Sequence, residues 1–295
     1  MQQRTGIRLF WLKVSLGILA ILCCGVGVWV GCQKHVAPRS VAASAEELTS
    51  EGRMVFGGLP RAKEGQEGRE VGNFTVLRNV AYVVGYSEGR KTPLFACYRV
   101  IREQPFKLDR PKGNFLTDTR TQARVKHQDF TGSGYDRGHM APNSAIAKCF
   151  GEQAQTETFL LTNICPQAPA LNQKVWEELE KRELVYAVRF GEVWVMDGPV
   201  FADASGGTTH KLRSGIAVPA AFWKILLEDE GGGKGGEERV HTFAVIMPQT
   251  VAGTEKPAQF ATAIDNIEKE TGLEFLWKLS SGKQRMLKGT ISREW

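Results

Sequence analysis

Residues 135–142 read YDRGHMAP and form the densest group of polar side chains in the sequence. In an extended segment, Arg137 and His139 are two residues apart and point to the same face. An imidazole can take a proton from water while a neighbouring guanidinium offsets negative charge growing on a phosphate, and the cation also keeps the imidazole neutral. The motif therefore suits hydrolysis of a phosphodiester. Taken alone, however, it favours the alternative, a structural histidine held by a carboxylate.

A second polar group follows at residues 162–167 (TNICPQ), after which come Asn172, Trp176 and Glu180 at intervals of four residues. Four-residue spacing places these three side chains on one stripe of a helix. An amide oxygen suits Mg²⁺, which keeps most of its water shell. About 12 Å of helical rise separates Asn172 from Glu180, so we expect Glu180 to orient metal-bound water rather than bind the ion. The alternative for Asn172 is a helix N-cap.

The flanking sequence predicts strands more often than helices. Val76–Tyr86 and Leu94–Ile101 are rich in Val, Tyr and Phe and are separated by SEGRKTP, which predicts a hairpin. Apolar residues recur at helical spacing over Gln173–Phe190, and Gly191 is a natural stop. Further strands are predicted at Val193–Phe201, Ala217–Leu227 and His241–Met247, an exposed hairpin loop at 228–238, and an amphipathic helix at Ala258–Thr271. Without strict alternation of strands and helices, this order indicates an α+β fold around an antiparallel sheet.

Three ordered motifs together resemble a known family: DRGHMAP (136–142), TNICPQ (162–167) and LNQKVWEELE (171–180). They are similar to the DNA/RNA non-specific endonucleases of the ββα-metal (His-Me finger) class, to which mitochondrial endonuclease G belongs. The resemblance covers roughly residues 54–280 and continues through FGGLP (56–60), VWVMDGPVF (193–201), AVPAAFWKI (217–225) and IEKETGLEF (267–275). It implies an α+β fold in which helices flank a central antiparallel sheet that carries a ββα-metal active site.

The resemblance also implies roles for individual residues. His139 would be the general base, Asn172 the metal ligand and Glu180 the holder of metal-bound water, while Arg137 and Asn163 would support the substrate or the site. A further family arginine would correspond to Arg110 in LDRPKGNF, although gaps leave that alignment open. The sequence departs mildly from the family pattern, with Thr162 where Ser is frequent and Cys165 at a variable position.

The implied activity is Mg²⁺-dependent, largely sequence-non-specific endonucleolytic hydrolysis of DNA and RNA that leaves 5′-phosphate and 3′-hydroxyl ends. Mn²⁺ could serve the same oxygen-rich site. Two other functions stay open at this point. One is a non-catalytic nucleic-acid-binding surface protein, and the other is a phosphodiesterase acting on small nucleotides. The sequence decides neither the preference for DNA or RNA nor the biological role.

An uncharged apolar run, Val14–Cys32, follows three cations, Arg4, Arg8 and Lys13. A helix of this length can cross a hydrocarbon core of about 30 Å. Basic residues before the run favour an orientation with the amino terminus inside, which places the chain after Lys34 on the outer face of the membrane.

Three interpretations of this run compete: an uncleaved anchor, a lipoprotein and a cleaved signal peptide. The nearest small-residue cleavage pattern, Ala43–Ala45, lies far past the run, so an anchor is favoured over release. Gly31-Cys32 resembles the end of a lipoprotein processing box, but Trp29 fits poorly where that box has Leu. We expect an exported protein on the outer face of the membrane or in the periplasm, divided into an anchor or signal segment (1–33), a linker (34–53) and an endonuclease domain (54–295). The expected partners are DNA, RNA and the membrane, and a homodimer stays open.

Composition and charge set broader limits. With 42% hydrophobic and 24% charged residues, the chain is ordinary for a globular protein, which excludes disordered, collagen-like and coiled-coil classes. Removing the three cations of residues 1–33 lowers the formal net charge from +6 to +3, so bulk charge is a weak argument for a nucleic-acid partner. Beyond that segment the cysteines are Cys97, Cys149 and Cys165, an odd number whose pairing stays open. Their spacing gives no zinc-binding pattern, and Cys165 is expected to be a small buried residue.

Overall fold

The computed structural model describes residues 53–65, 70–111, 113–202, 207–229 and 240–292. The predicted anchor and nearly all of the predicted linker lie outside these residues, as does most of the glycine-rich loop at 228–238. Among the described residues, no helix has the length and apolar character needed to span a bilayer.

A six-stranded antiparallel sheet organises the described residues. The strands are β1 (Arg61–Ala62), β2 (Thr75–Arg78), β3 (Tyr82–Ser87), β4 (Thr92–Ile101), β5 (Asp136–His139), β6 (Ile164–Gln167), β7 (Glu192–Val200), β8 (Ala221–Asp229), β9 (Val240–Pro248) and β10 (Leu273–Glu274). The main sheet has the order β2-β3-β4-β7-β8-β9, and each neighbouring pair is antiparallel. β5 pairs with β6, and β1 pairs with β10, in two small antiparallel ladders. The predicted α+β fold with a central antiparallel sheet is confirmed.

Helices cover both faces of this sheet. They are α1 (Asn143–Phe150), α2 (Glu152–Glu157), α3 (Glu177–Phe190), α4 (Ile264–Thr271) and α5 (Ser281–Gly289). The side chains of β8 alternate between the faces, since Phe222 and Leu226 join the core with α1 and α3, whereas Trp223 and Ile225 join the core with α4 and α5. Because both faces are covered, β8 is buried along nearly its whole length.

The helix predicted over Gln173–Phe190 is confirmed, but its start differs. A π-helical turn, Leu171–Trp176, precedes α3. Such turns hydrogen-bond over five residues rather than four, so the regular α spacing assumed for Asn172 does not hold there. Gly191 ends the helix with a φ of 102°, a backbone conformation that favours glycine.

Two predicted strands have different limits. Val76–Tyr86 is not one strand but two, β2 and β3, because the chain reverses at Asn79, whose N–H donates to the carbonyl of Tyr82 at 2.9 Å. The strand predicted from Ala217 begins at Ala221, after Pro219, which cannot donate to a ladder.

The helix predicted over Ala258–Thr271 is wrong in its first half. A 3₁₀ turn, Pro257–Phe260, is followed by an extended stretch before α4. In that stretch Thr262 donates its N–H to the carbonyl of Ala244 at 2.8 Å, and Ala261 bridges to Val245. Pairing with the edge of β9 therefore replaces helical hydrogen bonds.

β5, β6, the π-helical turn and α3 form a ββα unit that places the motifs side by side. His139 lies opposite Ile164, and Gly138 lies opposite Cys165 in the ladder. Cys97, Cys149 and Cys165 are all buried, and the described residues contain no disulfide; Cys165 is the small buried residue that was expected.

Candidate active site

A cavity of about 400 Å³ opens between β5, α1 and the helical segment that begins with the π turn. Five of the six predicted site residues line it: Arg110, Arg137, His139, Asn172 and Glu180. The sixth, Asn163, lies outside the lining. The fold thus brings five of the six predicted residues to one cavity.

His139 ends β5 with its ring held between two phenylalanines. The ring centroid lies 5.3 Å from that of Phe115 and 5.6 Å from that of Phe159, the latter in an edge-on arrangement. Its Nε2 is buried and has no hydrogen-bond partner among the described residues. Burial, and secondly the charge of Arg110, lower the pKa of His139 to about 3. The lowered pKa keeps the imidazole neutral at physiological pH, and among the described residues no carboxylate hydrogen-bonds to Nε2.

Arg137 is held by neutral oxygens. Its guanidinium donates to the backbone carbonyl of His127 at 2.8 and 3.3 Å and to the hydroxyl of Thr131 at 3.3 Å. Because neither partner is an anion, the positive charge of Arg137 stays available to the cavity. Arg110, whose guanidinium lies 5.6 Å from the Phe159 ring, is a second cation in the lining.

Asn172 is oriented by a carboxylate from β5. Its Nδ2 donates to Oδ2 of Asp136 at 2.9 Å, and Gln173 Nε2 donates to the same oxygen at 2.8 Å. A carboxylate only accepts, so the amide nitrogen must face Asp136, and Oδ1 makes no hydrogen bond with the described residues. Since Asn172 lies inside the π turn and its side chain bonds to β5, it is not a helix N-cap.

Glu180 lies on the first turn of α3 and is partly buried at the cavity wall. Its pKa is raised to about 8 by burial, which the charge of Lys224 opposes and the carboxylates of Glu183 and Asp197 reinforce. A cation in the cavity would favour the ionised form of this side chain.

Asn163 lies outside the cavity lining and stabilises the backbone next to it. Its Oδ1 accepts from the N–H of Ala141 at 2.9 Å, while its Nδ2 donates to the carbonyls of Ala141 at 2.9 Å and Thr158 at 3.1 Å. The side chain is fully buried. It ties the chain just after His139 to the segment that precedes β6.

A sequence model of the family described as DNA/RNA non-specific endonuclease matches residues 64–281. The chain belongs to the DNA/RNA non-specific endonuclease family. The description of this family names endonucleases, which are enzymes that hydrolyse phosphodiester bonds.

Relatives of this endonuclease-family chain come from several kingdoms. Mitochondrial endonuclease G of Homo sapiens is 32% identical over 178 residues, which are 57% of this chain and 58% of that protein. The mitochondrial nuclease of Saccharomyces cerevisiae is 32% identical over 56% of this chain and 53% of that protein. A nuclease of Nostoc sp. is 28% identical over 74% of this chain and 79% of that protein. The chain thus spans little more than half the length of the first two relatives.

A solved structure of an EndoG/EndoGI complex contains a chain with the same fold. It matches with a TM-score of 0.66 at 22% sequence identity and covers 79% of this chain and 93% of that chain. At this identity, the likeness shows the fold of the endonuclease-family chain.

The donor set of the endonuclease cavity fits a hydrated Mg²⁺ ion. It offers the amide oxygen of Asn172 as a ligand and the carboxyl group of Glu180 as an acceptor for metal-bound water. The described residues contain no group of three or more His, Cys, Asp or Glu side chains that could enclose a metal. A site with few protein ligands suits an ion that retains most of its water.

Sequence reasoning missed three features of the cavity. Asp136 enters the sequence analysis only as part of the motif, although its place in the same short strand as Arg137 and His139 could mark it as a partner of another site residue. Asn143, Ser144 and Ala145, the first residues of α1, line the cavity, and the helix start after Pro142 was the available signal. Lys181 also lines it, next to Glu180 in sequence. The amino-terminal end of a helix and a lysine both favour anions in the cavity.

Proposed function

We propose that the protein is a Mg²⁺-dependent endonuclease that hydrolyses phosphodiester bonds of DNA and RNA with little sequence preference. One observation carries the proposal: a single cavity joins the neutral imidazole of His139, the cation of Arg137 and the free amide oxygen of Asn172. The printed names of the relatives, endonuclease G and nuclease, support it.

In this mechanism His139 takes a proton from the attacking water, and its lowered pKa keeps the ring unprotonated before that step. Arg137 and Arg110 stabilise the negative charge on the phosphate oxygens. Asn172 would hold the metal, and Glu180 would orient metal-bound water. When bound, Mg²⁺ supplies Lewis-acid stabilisation of the pentacovalent phosphate and of the departing 3′ oxygen.

The substrate contacts expected here are mainly to the nucleic-acid backbone. The cavity lining presents Arg110, Arg137 and Lys181, which suit phosphate oxygens and carry no information on base sequence. Binding should therefore weaken as salt increases, because each neutralised phosphate releases counterions.

The test is cleavage of supercoiled plasmid and of RNA by the full chain with Mg²⁺, with chelator, and with His139→Ala. Loss of a general base should lower the rate by about 10²–10⁴-fold. Full cleavage with chelator would contradict the metal requirement, and full cleavage by His139→Ala would contradict the assigned base. Retention of DNA without cleavage would support a binding protein instead, and cleavage of a dinucleotide in preference to polymer would support a small-nucleotide phosphodiesterase.

We also propose that residues 14–32 attach the protein to a membrane, with residues 54–295 acting as the nuclease domain on the outer face. The support is the uncharged run and the three cations that precede it. An attached chain should stay in the membrane pellet after a high-salt wash. Recovery in the soluble fraction would contradict the attachment. Sedimentation of the detergent-solubilised chain would test whether it forms a homodimer.

A further inference from the structure

Lys224 lies in the core, on the face of β8 that meets α3, and its side chain is fully buried. Its Nζ is 2.5 Å from Oε1 of Glu183, 3.0 Å from the hydroxyl of Tyr98 and 3.2 Å from Oδ2 of Asp197. The Tyr98 hydroxyl in turn donates to Oε2 of Glu183 at 2.9 Å. The ammonium thus joins β4, β7 and β8 to helix α3.

Burying this group of charged side chains in the core costs free energy. Removing charges from water costs several kcal/mol per ion, and apolar side chains of similar volume often stabilise a fold as well or better. The costs are visible at Asp197, whose two carboxylate oxygens make no hydrogen bond among the described residues although Oδ2 is within ion-pair distance of Lys224. Stability alone therefore does not account for the choice of residues.

The contacts of Lys224 flank the two residues assigned to the metal. Glu183 follows Glu180 by three residues, so the two carboxylates are neighbours along α3. At the other end, Lys224 Nζ lies 4.4 Å from the centre of the Trp176 ring, and Trp176 follows Asn172 by four residues. Lys224 consequently holds the helical segment at two places, each about one turn from a cavity residue.

We propose that Lys224 is a positioning residue of the active site, which fixes the helical segment carrying Asn172 and Glu180 against the sheet in the place that metal binding requires. The proposal rests on the proposed function. Lys224 itself touches neither substrate nor metal and acts through Glu183, Tyr98 and Trp176.

The test compares three variants of the full chain. Lys224→Met/Glu183→Gln removes both members of the ion pair, so that neither is left as an unpaired buried charge. Tyr98→Phe removes only the hydroxyl that contacts both Lys224 and Glu183. This variant keeps the proposal testable if the double variant does not fold. The matched control is Lys288→Met, which breaks a nearly buried pair of 2.8 Å between Lys288 on α5 and Glu268 on α4, on the opposite face of the sheet.

Two quantities are measured for each variant: the rise in Tm on addition of Mg²⁺ without substrate, and the Mg²⁺ concentration that gives half-maximal plasmid nicking. Tenfold excess of Mg²⁺ over its Kd should raise the Tm of the unsubstituted chain by about 4 °C. Lys288→Met should lower the starting Tm yet keep this rise. Lys224→Met/Glu183→Gln should lose most of the rise and need about tenfold more Mg²⁺, with Tyr98→Phe in between.

A folded Lys224→Met/Glu183→Gln or Tyr98→Phe variant with the full Mg²⁺ response would overturn the proposal. Loss of the Mg²⁺ response in Lys288→Met would also overturn it, because the effect would then follow from a general loss of stability. An unsubstituted chain whose Tm does not rise with Mg²⁺ would overturn it as well. An unsubstituted chain that shows the Tm rise but cleaves no nucleic acid would overturn the proposed function alone.

Discussion

The side-chain nitrogen of Asn172 donates a 2.9 Å hydrogen bond to Oδ2 of Asp136, the first residue of β5. Asp136 lies three residues before His139, so one short strand both carries the proposed base and orients the proposed metal ligand. The bond connects the strand and the helical segment of the ββα unit. It also leaves the amide oxygen of Asn172 free for a ligand.

Replacing Asp136 should weaken metal binding. In Asp136→Asn, the new amide can donate as well as accept, so it no longer dictates which end of the Asn172 amide faces it. Loss of such an orienting partner should raise the half-saturating Mg²⁺ concentration about tenfold or more. Titration of plasmid nicking with Mg²⁺ measures the change. Gln173→Ala removes the other donor to the same oxygen and should have a much smaller effect, and equal effects of the two variants would argue against an orienting role.

Gly138 should not tolerate a side chain. A Cβ at this position would lie 2.2 Å from Oε1 and 2.6 Å from Cβ of Gln167, which is fully buried. Gly138→Ala should therefore push β5 away from β6, displace His139 and destabilise the fold by about 1–3 kcal/mol. Thermal unfolding and the nicking rate report the two consequences.

The second half of this test is a rescue. Gln167→Gly removes Oε1, Cδ and Cβ of Gln167, the atoms that the new methyl group would meet, so the double variant Gly138→Ala/Gln167→Gly should regain much of the Tm and rate lost in Gly138→Ala. Strictly additive losses would show that the clash is not the cause.

Sequence patterns predicted the cavity where its chemistry depends on short spacing. Arg137 and His139 share a strand, and Asn172 and Glu180 share a helical segment, so their common location follows from local geometry. The pairing of Asp136 with Asn172 could not be predicted in this way, because it joins residues far apart in the chain and depends on how the helix packs against β5.

The tertiary structure also decides whether the side chain of Lys224 is buried or exposed. In AVPAAFWKILL, a single lysine is compatible with a strand that exposes one face to water. Whether its side chain points to solvent or core depends on α3, which supplies Glu183 and is distant in sequence. Similarly, the break between β2 and β3 involves Asn79, whose side-chain oxygen accepts from Arg120 at 2.9 Å.

The free energy of unfolding of the metal-free chain should fall as the pH rises from about 6.5 to about 8. Burial raises the pKa of both Glu180 and Asp197 to about 8, so the folded state holds protons that the unfolded state has already released. Their contribution to stability is complete at low pH and is lost as the pH rises through about 8. His139, with its lowered pKa, acts in the opposite direction, but only below about pH 6.5. Asp197→Asn should therefore flatten the fall in Tm measured in chelator.

A surface carboxyl provides the control for this pH series. Asp265 is exposed on α4, and Asp265→Asn should leave the slope of Tm against pH as it is in the unsubstituted chain. An unchanged slope in Asp197→Asn would mean that this buried carboxyl does not take up its proton in the folded state.

Asn163 should prove important for stability rather than for metal binding. Asn163→Ala leaves the buried N–H and carbonyl of Ala141 and the carbonyl of Thr158 without their side-chain partner, at a cost of roughly 2–4 kcal/mol. We expect the Tm to fall by about 5–15 °C, while the half-saturating Mg²⁺ concentration, measured well below the Tm, stays as in the unsubstituted chain. The control is Asn266→Ala, which removes a single exposed hydrogen bond to Thr262 and should barely change the Tm. Since Asn163 lies outside the cavity lining, an altered Mg²⁺ requirement without loss of Tm would show that it contributes to the metal site directly.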